Sequence, residues 1–174
     1  DVSPLTGLPG NLEIQTEISR RLELFKVFSM IYADLDNFKA FNDAYGFARG
    51  DIAIKLTADI VYDNVRNKGI EEDFIGHIGG DDFIILTEPI RVDSICEGII
   101  KDFDLKIRDL YDKNDLENNY ITTIDRRGNI TTHPIMTISM AVVSNEYREF
   151  KSYEEMAQVA AEVKRFAKLA HESN

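Results

Sequence analysis

The sequence predicts an α+β (mixed α/β) domain in which helices flank a central, mostly antiparallel sheet. Three observations carry that expectation. Apolar residues recur at helical spacing in four separate segments, each long enough for several turns. Short apolar runs come in pairs around turn-forming residues, which is how hairpins are written. The hairpins and helices are interspersed without the regular strand–helix alternation of a doubly wound parallel sheet.

The elements follow in order. A turn-rich opening, Ser3-Pro4-Leu5-Thr6-Gly7-Leu8-Pro9-Gly10, begins abruptly, as if cut from a longer protein. Ile14, Ile18 and Leu22 predict a first helix over 11–24. Val27 to Ala33 is a mostly apolar run ending at Asp34, the pattern of a buried strand. Ile52, Leu56 and Ile60 predict a second helix that starts near Gly50-Asp51. Phe74 to Ile78 and Phe83 to Leu86 flank Gly79-Gly80-Asp81-Asp82, where glycine tolerates the positive φ of a tight hairpin. Ile95, Ile99, Phe103 and Ile107 mark a third helix. Tyr120 to Ile124 and Ile130 to Thr132 flank Asp125 to Asn129, a second hairpin whose tip carries a solvated Arg126-Arg127. Ile135 to Val143 reads as a strand. Met156, Val159, Ala160, Val163, Phe166, Ala167 and Ala170 form the apolar face of a last helix.

Composition narrows the class. The 174 residues suit a single domain, 1–174, with 44% hydrophobic and 29% charged residues typical of a soluble globular protein. No apolar run approaches the roughly 20 residues of a membrane span, and the N-terminus carries no basic segment followed by an apolar signal core, so a cytoplasmic setting is expected. A net charge of −11 disfavours a nucleic-acid surface, which needs clustered Lys and Arg. It does not oppose a Mg²⁺–nucleotide site, where the metal offsets the phosphates. Cys96 is the only cysteine, so neither an intramolecular disulfide nor a cysteine-based metal site is available, and its apolar helical setting suggests packing. His77 and His133 have no second ligand at i, i+4 and are expected to be structural.

The chemistry concentrates in the acids. Asp34 and Asp36 share a strand face if the extension continues, because side chains alternate with period two. A second pair, Asp81-Asp82, lies in the glycine turn. Buried carboxylates are costly without a cation or donors nearby, so two such pairs at strand ends point to a shared cation. Mg²⁺ suits such a site, since it keeps waters and substrate phosphates as its other ligands. The combination points to metal-assisted phosphoryl transfer.

These residues resemble the GGDEF family. Asp34-Leu35-Asp36-Asn37-Phe38-Lys39-Ala40-Phe41-Asn42-Asp43 is similar to its D-x-D-x-F-K-x-x-N-D motif. Tyr45 to Asp51 is similar to its G-H-x-x-G-D stretch, Leu5 to Pro9 to its opening motif, and Thr137 to Ala141 to its T-x-S-x-G strand. Ala167-Lys168 resembles its terminal A-K. The matches run in order from residue 5 to 168. The resemblance implies a sheet like that of nucleotidyl-cyclase palms and condensation of two GTP into cyclic di-GMP, with release of two pyrophosphates, between two domains in a transient homodimer. It implies Asp34, Asp81 and the Leu35 carbonyl as ligands of Mg²⁺ or Mn²⁺, and Asp81, Asp82 and Lys39 as catalytic residues. Asn42 and Asp51 would read guanine, while Phe38, Lys39 and Lys168 would meet the phosphates. Two readings stay open for Lys39 and Lys168, phosphate contact or ordinary exposure, and Asn42 and Asp51 also suit a turn and a helix cap. Family members usually carry an attached sensory or receiver domain.

The sequence departs from the family pattern at several points. Asp82 stands where the motif has Glu, one methylene longer. His77 replaces a usual Arg, Phe47 a usual His, and Ala141 the strand glycine. Glu172 lies where a phosphate-contacting Arg is common. The window Ile70-Glu71-Glu72-Asp73 keeps the aspartate of a product-binding Arg-x-x-Asp but has Ile70 in place of its arginine, so no feedback inhibition through it is expected. These departures leave two functions open: an active diguanylate cyclase, or a degenerate domain kept as a GTP-binding or interaction module.

Overall fold

The computed structural model describes the backbone of residues 1–172 and the side chains through Leu169. Six α-helices and six strands are placed: α1 (Asn11–Glu23), β1 (Ser29–Asp36), α2 (Phe38–Tyr45), α3 (Phe47–Lys68), β2 (Phe74–His77), β3 (Asp82–Thr87), α4 (Val92–Lys106), α5 (Lys113–Asn118), β4 (Tyr120–Ile124), β5 (Ile130–Pro134), β6 (Thr137–Ser144) and α6 (Tyr153–Glu172). Four strands form one antiparallel sheet in the order β2-β3-β1-β6, and β4-β5 form a separate hairpin. The expected α+β class, with a mainly antiparallel sheet between helices, is what the chain adopts.

Strand alternation sorts the core into two layers. Ile31, Ala33 and Leu35 of β1 join Phe83 and Ile85 of β3 under α2, α3 and α4. Met30 of β1 joins Ile84 and Leu86 under α1 and α6, where Ile14, Ile18, Met156 and Ala160 complete the cluster. Tyr32, Asp34 and Asp36 therefore belong to the α6 side. Phe28, Phe41, Phe83 and Phe103 are almost completely buried in these layers.

Two differences from the sequence expectation bear on the site. The second helix begins at Phe47 rather than at Gly50-Asp51, and an additional helix, α2, precedes it. Gly46, at φ 91°, makes the break between them. The eight residues of α2 fall well short of the length at which a helix is stable alone; Phe41, wholly buried against Tyr45 and Tyr111, holds it in place. The short α5 is the other element beyond the expected order. Ala170 and Glu172 lie outside the described side chains.

Candidate active site

The β1–β3 register sets Asp34 directly opposite Asp82. Directly opposed residues of an antiparallel pair point to the same face, so two carboxylates meet on the α6 side. Like charges in that arrangement repel unless a cation intervenes. Asp34 is 3% exposed, and its Oδ1 has no hydrogen-bond partner among the described residues. Its Oδ2 accepts from Lys168 Nζ at 2.7 Å and lies 3.1 Å from Lys164 Nζ. Lys164 also lies 3.6 Å from Asp82 Oδ1 and 4.6 Å from the centre of the Tyr32 ring. Tyr32 in turn donates its hydroxyl to Asp82 Oδ2 at 2.8 Å. Burial, and then the hydrogen bond to Asp82, raises the Tyr32 phenol well above its ordinary range and keeps it a donor.

Asp36 keeps to the same face. Its Oδ2 accepts from the Thr137 hydroxyl at 2.7 Å and the Ser139 hydroxyl at 2.5 Å, both from β6. The paired carboxylates Asp34 and Asp36 thus have different environments, ammonium groups for one and hydroxyls for the other. A cleft of about 630 Å³ opens here, lined by Asp34, Asp36, Ser139, Lys164 and Lys168 among others.

The turn that delivers Asp81 is built by Gly79 and Gly80, at φ 63° and 53°, where a Cβ would be strained. Burial, reinforced by neighbouring Asp82, raises the Asp81 carboxyl above the usual carboxylate range. His77 holds this turn from below. Gly80 O can only accept, so His77 Nε2 donates to it at 2.9 Å; in the neutral ring Nδ1 then accepts from the Ser3 hydroxyl at 2.7 Å. The ring stacks on Phe83 with centroids 4.7 Å apart, and the His77 amide donates to Pro9 O. The expectation of a structural histidine holds, and the residue does more than fill space: it fastens the N-terminal segment to the acidic turn. His77→Ala is expected to cost about 2 kcal/mol through the lost hydrogen bonds, seen as a thermal midpoint about 4–8 °C lower. His77→Phe should recover part of that through the stack. His133 is structural too, with Nε2 3.0 Å from Thr123 Oγ1.

Other residues singled out from the sequence lie apart from this cluster. Lys39 is exposed on the first turn of α2, with Phe38 beside it at the helix start. Asn37, at φ 67°, turns the chain from β1 into that helix. Asn42 packs against Gly50, where any Cβ would overlap Asn42 Oδ1, and that oxygen is buried without a partner among the described residues. Asp51, the next residue, is exposed. Gly50 thus brings α3 close to α2 at Asn42, one residue before Asp51. Asp73 accepts from the Ile70 amide and the Thr87 hydroxyl, so it closes its own loop. Cys96 is half-buried and packs against the larger core cluster.

Tyr32 and Lys164 belong to the cluster although neither lies in a motif. The signals were present. Tyr32 is two residues before Asp34, hence on its face, and Lys164 is four before Lys168, one helical turn away.

The donor set suits a divalent cation in kind. Among the described residues no three His, Cys, Asp or Glu side chains are grouped to hold a metal by themselves. Mg²⁺ does not need that many, since one or two carboxylates plus phosphates and waters suffice. Asp34 Oδ1, buried and unpartnered, is the oxygen such an ion would satisfy. Pairing of β1 with β3 ends at Asp34, which leaves Leu35 and Asp36 with a strand neighbour only on the β6 side.

Comparison with known proteins identifies the family. The sequence model of the family described as "Diguanylate cyclase, GGDEF domain" matches residues 1–172. The chain belongs to the GGDEF domain family. It is 33% identical over 104 residues to the bifunctional diguanylate cyclase/cyclic di-GMP phosphodiesterase MucR of Pseudomonas aeruginosa, covering 56% of this chain and 15% of that protein. It is 40% identical over 89 residues to diguanylate cyclase DgcS of Shewanella oneidensis, covering 48% of this chain and 28% of that one. The GGDEF domain of DgcB from Caulobacter crescentus, solved in complex with c-di-GMP, superposes with a TM-score of 0.68 at 18% identity, over 97% of this chain and 90% of that one. At that identity the superposition speaks for the fold alone. No helix among the described residues is long and apolar enough to cross a membrane.

Proposed function

We propose that this domain is a diguanylate cyclase that condenses two GTP into cyclic di-GMP. The observation that carries the reading is the buried Asp34, with one oxygen unpartnered, facing the acidic GGDDF turn. Asp34, the Leu35 carbonyl and Asp81 would hold Mg²⁺ or Mn²⁺, the kind of divalent metal that GGDEF cyclases generally use. When bound, that ion would neutralise phosphate charge and favour ionisation of the attacking hydroxyl.

The remaining roles fall to the chain. Asn42 and Asp51 read guanine: the amide pairs with O6 or N7, the carboxylate with the N1 and N2 hydrogens. Phe38 and Lys39 sit at the α2 turn beside the phosphates, and Lys168 reaches them from α6. Asp81 and Asp82 set the negative field at the reacting centre. Two such domains meet in a transient homodimer, each holding one GTP. Each 3′-hydroxyl attacks the α-phosphorus of the other nucleotide, the bond to the β-phosphate breaks, and a proton and pyrophosphate leave. The chain spans under a third of the length of the curated relatives it matches. We read residues 1–174 as one domain, acting in the cytoplasm under an attached sensory or receiver domain.

A second reading, a GTP-binding regulatory module without turnover, draws on one observation: Asp82 is engaged by Tyr32 and Lys164 rather than free toward the cleft. Incubation with GTP and Mg²⁺ separates the two. A cyclase forms cyclic di-GMP and pyrophosphate at a rate that rises faster than linearly with protein concentration. Tight GTP binding with no product would leave only the regulatory module.

A further inference from the structure

Lys164 carries no family motif, yet among the described residues it touches both Asp34 and Asp82 as well as the Tyr32 ring. Its ammonium lies between two carboxylates that the strand register forces to face each other, 3.1 Å from Asp34 and 3.6 Å from Asp82. The same ammonium lies over the Tyr32 ring, and the side chain is only 23% exposed. Lys168, at 44%, sits nearer the rim and can turn to solvent or to a phosphate. Both lysines bear on the same oxygen, Asp34 Oδ2. A divalent cation on Asp34 would therefore arrive within a few ångströms of a positive charge that is already there.

That repulsion is strong in a half-enclosed site. Relief requires Lys164 to find another anion, and the triphosphate of a nucleotide provides one. A hollow of about 390 Å³ between Tyr32, Ala161, Lys164, Arg165, Lys168 and Leu169 gives the side chain room to move. We propose that Lys164 is a built-in counter-ion that occupies Asp34 in the nucleotide-free domain, opposes divalent-cation binding there, and transfers to the phosphates when nucleotide arrives. Cation and nucleotide binding are then coupled, each strengthening the other by the same factor. The inference rests on the metal-site reading given above.

The test is a titration of Mn²⁺ without nucleotide, with free Mn²⁺ read by electron paramagnetic resonance. Lys164→Met is expected to bind Mn²⁺ about tenfold or more tightly than the unaltered domain. Lys164→Arg, which keeps the charge, should bind like the unaltered domain, as should Lys101→Met, which removes an exposed charge on α4. With a saturating non-hydrolysable GTP analogue, the advantage of Lys164→Met should shrink. Unchanged or weaker Mn²⁺ binding by Lys164→Met overturns the inference, as does equal tightening by Lys164→Arg or Lys101→Met. Should Lys164→Met fail to fold by circular dichroism, Lys164→Gln serves in its place with the same expected outcomes. Asp34→Asn separates this inference from its premise. If Asp34→Asn leaves Mn²⁺ binding intact, the metal-site reading itself fails. If it abolishes binding while Lys164→Met changes nothing, only the counter-ion role fails.

Discussion

Asp34→Asn is expected to lower cyclic di-GMP formation by on the order of 10³-fold, while the thermal midpoint moves little. The substitution is isosteric, so β1 keeps its shape and its register with β3 and β6. What disappears is the charge on a carboxylate that, alone among the described residues, is buried and has an unpartnered oxygen. On the proposed reading a metal ligand is lost, and with it several kcal/mol of transition-state stabilisation, which sets the size of the effect. The stability change is small for a different reason. Lys164 and Lys168 are left without Asp34, but both retain access to water and Lys164 keeps Asp82. Partly exposed ion pairs of this kind contribute about 1 kcal/mol or less. Product chromatography and a thermal melt on the same sample check both halves. A collapse of stability would mean that Asp34 is a structural ion-pair partner first and a ligand second.

Phe83→Ala is expected to destabilise the domain by about 3–5 kcal/mol and to lower the thermal midpoint by about 6–20 °C. Phe83 is the last residue of the GGDDF motif and is completely buried. It pairs with Ala33 on one side and His77 on the other, and stacks on the His77 ring. Truncation leaves a cavity beneath the very turn that presents Asp81. Activity should therefore fall further than stability alone explains, when measured well below the midpoint. Phe83→Leu, which fills most of the volume, should recover the larger part of the loss. Denaturant unfolding of the two variants gives the comparison.

The motif is thus two devices joined end to end. Gly79 and Gly80 supply a turn, Asp81 and Asp82 supply charge, and Phe83 anchors both to the core. That division was legible in the sequence, since glycine pairs mark positive φ and an apolar residue after them marks the returning strand. The face shared by Asp34 and Asp36 was legible as well, from the period of a strand. The partners of these acids were less so. Lys164 and Lys168 lie far along the chain from Asp34, and only packing of α6 on the sheet brings them there. The boundary at Phe47 escaped pattern reading because α2 is short and depends on Phe41, Tyr45 and Tyr111 packing together. His77 was recognisable as structural, but its tie to Ser3 joins residues that no local pattern connects.

Division between charge and anchor also bears on Asp82. One methylene shorter than glutamate, it is held by the Tyr32 hydroxyl and faces Lys164. Asp81 is raised above the usual carboxylate range by burial and by its neighbour, so a cation beside it would favour its charged form.

The most direct measurement is the anomalous-scattering position of Mn²⁺ in crystals grown with a non-hydrolysable GTP analogue. The metal is expected between β1 and the glycine turn, about 2.1 Å from a carboxylate oxygen of Asp34, from one of Asp81 and from the Leu35 carbonyl, with the guanine against Asn42 and Asp51. A metal bound elsewhere on the domain, or one without contact to Asp34, would contradict the assignment.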